Sequence, residues 1–171
     1  MGKYALLRKD RVPYPKPLSA LHEENTPLEN GMIVGIKGYA KGERECYKIG
    51  QYAAGDRIAI VDCSTLMYDE RLDDSDYCLE KGYPGRVLPV DNFDEYTIAK
   101  KFFPEGLAVG DYVKPDTVNL GKYAKAEGLE DAIGIVAEID VDLFDRQDSI
   151  LIDFLLSLIH ISEPTRRSYI S

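Results

Sequence analysis

Ile133-Gly134-Ile135-Val136-Ala137-Glu138-Ile139 is the stretch that decides the fold class. Its β-branched side chains lose rotamer freedom in a helix but pack well on a pleated surface, so the run predicts a strand. Working outwards, the same texture recurs between Gly, Pro and Asp punctuation. Arg57-Ile58-Ala59-Ile60-Val61 is compact and apolar, the pattern of a buried strand, and Met32 to Ile36 follows the turn signal Asn30-Gly31. Arg44 to Ile49 alternates, with Cys46 and Lys48 on one side and Tyr47 and Ile49 on the other. Gly110-Asp111 predicts a turn feeding a strand at Tyr112-Val113. Lys122 to Ala126 is a weaker strand, and Ile150 to Leu155 would close the sheet after a turn over Asp145 to Asp148. Pro89 assigns the strand Arg86 to Val90 to a sheet edge. In Glu95 to Phe103, Tyr96, Ile98 and Lys100 alternate while Phe93, Tyr96 and Lys100 also suit a helix. Strand is favoured because every neighbour is strand-like. Asp73 to Lys81 is the one helix candidate.

Short strands at close intervals predict a mainly β, single-domain protein, a β-barrel or β-sandwich. Before it, Val12-Pro13-Tyr14-Pro15-Lys16-Pro17 cannot form helix interior, since alternate prolines remove donors and hold their neighbours extended. Residues 1–31 are therefore expected to form an extended N-terminal arm, with the β-rich domain over 32–155. The arm is basic through position 17, with Lys3, Arg8, Lys9, Arg11 and Lys16 against Asp10, on a chain whose net charge is −9. This asymmetry marks the arm as the expected partner-binding segment. Tyr4, Leu6 and Leu7 are its apolar anchors, and Arg8, Lys9, Arg11 and Tyr14 stand beside them. The acidic body argues against nucleic-acid binding, which draws on clustered Lys and Arg. The apolar stretch Ile150 to Ile161 is too short to span a membrane. Three widely spaced cysteines and an N-terminus interrupted by Arg8 to Arg11 predict a reducing cytoplasm.

The search for chemistry excludes more than it finds. The pairs Gly35/Gly38, Gly82/Gly85 and Gly106/Gly110 lack the third glycine and the Lys-Ser/Thr of a phosphate loop, and predict turns instead. Cys46, Cys63 and Cys78 do not have zinc-ligand spacing and are read as free, partly buried thiols. From Asp74, a calcium loop would need glycine where Leu79 stands, so the acidic run Asp69 to Asp76 reads as a solvated loop, as do Asp140, Asp142 and Asp145. His22, in a proline-rich arm, is a poor general base. No catalytic, cofactor or metal residue is assigned, and no enzyme activity is expected. Twelve tyrosines beside no tryptophan suit half-buried sheet faces and interfaces.

Residues Leu156 to Arg166, LSLIHISEPTR, resemble the translation of a transposase-type sequencing adapter, so 156–171 are expected to be a non-native tail. Without Arg166, Arg167 and Glu163, the 21 basic and 30 acidic residues become 19 and 29, a net charge of −10.

Met1 to Asp10, Leu28 to Val34, Arg44 to Lys48, Met67 to Arg71, Gly110 to Val113 and Gly134 to Glu138 together resemble small structural proteins encoded near the major capsid protein of tailed phages of Gram-positive hosts. The resemblance covers most of residues 1–140 as scattered short blocks. It implies a capsid decoration protein, made in the host bacterial cytoplasm and carried on the virion head. Its partner would be the major capsid protein, and it would assemble as a homo-oligomer such as a trimer at local threefold positions. It transfers no functional residues. Two other classes stay open: a different non-catalytic β-barrel binding module (a tail or baseplate component, or a host-side interaction domain), and an enzyme of unrecognised type.

Overall fold

The computed structural model describes residues 7–13, 15–42, 44–64, 71, 77–139 and 149–155. The protein is mainly β, with 47% strand and 2% helix. Among the described residues eleven strands form two units around a shared core. A closed barrel is built from β2 (Leu18–His22), β4 (Cys46–Gly50), β3 (Ile33–Tyr39), β5 (Arg57–Val61) and β6 (Pro84–Pro89), in that spatial order. A six-stranded sheet runs β1 (Leu7–Arg11), β7 (Glu95–Ala99), β11 (Ser149–Phe154), β10 (Gly134–Ile139), β8 (Tyr112–Pro115), β9 (Tyr123–Lys125). All pairings are antiparallel except β2 with β4.

The apolar runs explain the layering. In β5 every residue after Arg57 is buried, because one face lines the barrel and the other is covered. In the sheet, Ile98, Ile150 and Ile139 stand in register, as do Tyr96, Ile152 and Val136. These rows belong to the same core as Ile33, Ile60, Val87 and Leu88 of the barrel. Barrel and sheet are joined by polar contacts as well. The Tyr123 hydroxyl donates to the Gly31 carbonyl at 3.1 Å, while within the barrel the Asn30 side chain ties the turn before β3 to the chain just after β5, donating to the Cys63 carbonyl at 3.0 Å and accepting from its N–H at 2.8 Å. Gly31 has φ 95°, which makes the Asn30-Gly31 turn a glycine position.

Several expectations need correction. β6 is interior, paired to β2 and β5; Pro84 and Pro89 occupy its first and last residues, where a missing N–H disturbs the ladder least. The strand expected over Glu95 to Phe103 stops at Ala99 and continues as a 3-10 turn, Lys100–Phe102, which turns Phe102 into the core. No helix forms over residues 77–81, where Leu79 bridges to Leu28, and the rest of that candidate lies outside the described residues. β11 lies between β7 and β10, inside the sheet, while its expected preceding turn lies outside the described residues. Gly35, Gly38 and Gly85 sit within strands instead of turns, Gly38 with positive φ at a register shift of β3; Gly82, Gly106 and Gly110 have positive φ.

Candidate functional site

The expected partner-binding arm is extended, and its described part is built into the body. Leu7 to Arg11 form β1 at one margin of the sheet, and Leu18 to His22 form a wall of the barrel. Tyr4, Leu6 and Tyr14 lie outside the described residues. β1 pairs with β7 through Leu7↔Ile98, Arg8↔Thr97, Lys9↔Tyr96 and Arg11↔Glu95, and the register shifts between Lys9 and Arg11. Asp10 is the extra residue of this bulge. Its carboxylate bonds the Arg8 guanidinium and accepts from the Thr97 hydroxyl.

The remaining cations of β1 are also matched. Lys9 reaches Asp62 at 2.9 Å, a carboxylate shared with Arg86 at 3.2 Å, and Arg11 stands 3.9 Å from Glu95. Exposed pairs of this kind contribute at most about 1 kcal/mol each. They do, however, cancel the local field that a basic arm would need for long-range steering. Electrostatic steering by Arg8, Lys9 and Arg11 is therefore not supported by their surroundings.

What β1 does present is main chain. Among the described residues its second edge has no partner strand. Such an edge can be extended by another chain, and charges and bulges commonly restrict which chain can do so. Phe93 lies two residues before β7. It is 57% exposed and held at φ 65°, the third residue of a turn closed by the Asp94 N–H to the Asp91 carbonyl, while its own N–H donates to the Phe154 carbonyl at 2.7 Å. This leaves an exposed aromatic ring at the end of the sheet where Arg11, Glu95 and Asp153 stand in register, tied to β11 and not to the open edge of β1, a feature that sequence periodicity could not show because it depends on the turn.

Elsewhere, His22 is fully buried in the barrel wall with Nε2 2.6 Å from the Thr26 carbonyl oxygen, so its role is packing. None of the three cysteines is in a disulfide; Cys46 and Cys63 are buried and Cys78 is half-buried. Burial pushes the Cys78 thiol up, away from the thiolate form. Among the described residues no group of three His, Cys, Asp or Glu is arranged to hold a metal ion, and no helix is long and apolar enough to cross a membrane. The acidic positions 69–70, 72–76 and 140–145 lie outside the described residues. No protein-family model matches the chain, and no curated protein matches it in sequence.

Proposed function

We propose that this is a non-catalytic binding protein that docks on the outer shell of a tailed-phage head through the open edge of β1. The observation that carries the docking mode is the one-sided pairing of β1 among the described residues. A strand added there gains affinity from main-chain hydrogen bonds and specificity from alternate side chains. Arg8 and Arg11 share the face of β1 that pairs across to Thr97 and Glu95. Tyr4 and Leu6 precede the strand in sequence. The choice of a phage head as partner comes from the resemblance of the sequence blocks to capsid-proximal proteins. That resemblance also implies many copies per shell and a trimeric assembly.

The test uses the full chain and expanded, undecorated heads assembled from the major capsid protein encoded beside it. Co-sedimentation should be saturable, and should fall steeply on deletion of residues 2–6 and in the double variant Arg8→Glu/Arg11→Glu, with melting temperature held as the control. Binding that both variants retain in full would remove β1 as the docking element. A chain encoded among tail or baseplate genes, and binding those components instead, would contradict the head assignment.

A further inference from the structure

Asn30-Gly31 is the one Asn-Gly pair in the chain. Glycine has no side chain to keep its main-chain nitrogen away from a preceding asparagine amide, so a freely moving Asn-Gly pair loses ammonia more readily than other asparagine dipeptides. In the barrel the groups this reaction needs are held. The turn is closed by the Met32 N–H to the Glu29 carbonyl at 3.2 Å, with Gly31 as its third residue at φ 95°. Gly31 is buried, and its N–H, whose nitrogen would attack, donates to the Val61 carbonyl at 2.9 Å. The Asn30 amide, whose carbon would be attacked, is bound at both ends by the Cys63 main chain, at 3.0 Å to the carbonyl and 2.8 Å from the N–H. The Gly31 carbonyl accepts from the Tyr123 hydroxyl at 3.1 Å.

These bonds also join the turn to β5 and to the chain that leaves it. Opening the turn therefore frees the amide and the attacking nitrogen together. A turn needed only to reverse the chain would not require its side-chain amide to be held at both ends.

We propose that Asn30 is a deamidation site that the closed barrel silences and that opening of the turn exposes. In the open turn the Gly31 nitrogen gives its proton to solvent and bonds to Asn30 Cγ. The Cγ–Nδ2 bond breaks and the nitrogen leaves as ammonia. Water then opens the cyclic imide at either carbonyl, leaving an aspartyl or an isoaspartyl residue. One amide and one water have become one carboxylate and one ammonium ion, with no change of oxidation state. Neither product restores the clasp. A carboxylate only accepts, so the Cys63 carbonyl would face negative charge where it now has a donor. The isoaspartyl form adds a carbon to the main chain before Gly31 and carries its N–H away from Val61. Opening of the barrel is thus recorded as a covalent change that hinders reclosure. The site belongs to the barrel and is independent of the β1 edge.

The full chain, held in mildly alkaline buffer with and without enough urea to unfold it, tests the proposal. Mass mapping of the peptide containing Asn30 and isoaspartate-specific enzymatic methylation read the products. In urea, Asn30 should convert ahead of the other asparagines. The folded chain should convert about a hundredfold more slowly, since a reaction confined to the open form follows the population of that form. Tyr123→Phe keeps the ring stacked on Phe103 but removes the bond to Gly31. It should speed conversion of the folded chain severalfold and leave the rate in urea alone. Asn30→Asp, which carries the aspartyl product from the start, should melt below the parent chain or fail to fold. Equal rates with and without urea, a folded-state rate indifferent to Tyr123→Phe, or an Asn30→Asp chain as stable as the parent would overturn the assignment.

Discussion

Tyr96 shows how far single residues were legible. Its alternation with Ile98 marks it as a strand residue facing inwards, and it is fully buried, its ring edge-on to Phe154 at 5.8 Å. Its hydroxyl, however, is buried without a hydrogen-bond partner among the described residues, and burial pushes its pKa well above the ordinary tyrosine value. A buried hydroxyl in that position costs free energy without return, so Tyr96→Phe should raise stability by about 1 kcal/mol in urea unfolding. A loss of similar size would mean that the hydroxyl is satisfied. The sequence could announce the buried ring but not the idle hydroxyl, because satisfaction depends on what the neighbouring strands bring to that point. The same limit applies to Tyr39 and Tyr47. Tyr47 reads as an ordinary strand tyrosine and Tyr39 falls beyond the strand expected over Met32 to Ile36, so only the β3–β4 register, with its shift between Ile36 and Gly38, brings their rings together.

At the scale of elements, strands were legible wherever β-branched runs were dense, as in β5, β10 and β11. Placement within a sheet was less so. Pro89 suggested an edge, but a proline at the last position of a strand leaves the ladder almost intact, so β6 could take an interior place. The N-terminal prolines correctly gave extended chain, yet extended chain can pair as readily as it can dangle, and β1 and β2 both pair. Close approach of strands is invisible in sequence too. A Cβ on Gly134 would meet Ile152 Cγ2 at 2.8 Å and the Asp153 carbonyl oxygen at 2.9 Å, so glycine permits the β10–β11 contact. Gly134→Ala should cost about 1–3 kcal/mol, as overpacking of a core does. Gly128→Ala, where a Cβ meets nothing within 4 Å, is the matched control and should be near neutral.

For the molecule as a whole, four aspartates among the described residues act on the response to acid in opposite directions. Burial raises the pKa of Asp94 and Asp153 above the ordinary value of 3.8. The folded state therefore takes up protons before the unfolded chain does, and stability rises as pH falls through their folded values. Asp111, held first by the Ala108 N–H and then by Lys125, and Asp116, held first by Asn119, are lowered. Their contribution is complete above 3.8 and is lost as pH falls through their folded values. Melting temperature should accordingly climb on mild acidification and turn down below the ordinary carboxylate range. Asp94→Asn/Asp153→Asn should flatten the climb, and Asp111→Asn the fall; a profile unchanged in either variant would contradict these assignments. The central claim, docking through the margin of the six-stranded sheet, is read most directly by amide hydrogen exchange of residues 7–11 with and without expanded, undecorated heads. Main-chain amides of β1 that exchange freely in the isolated protein should become protected on the heads, while β9, at the opposite margin, stays unchanged. Exchange in β1 that is the same in both states would contradict the account.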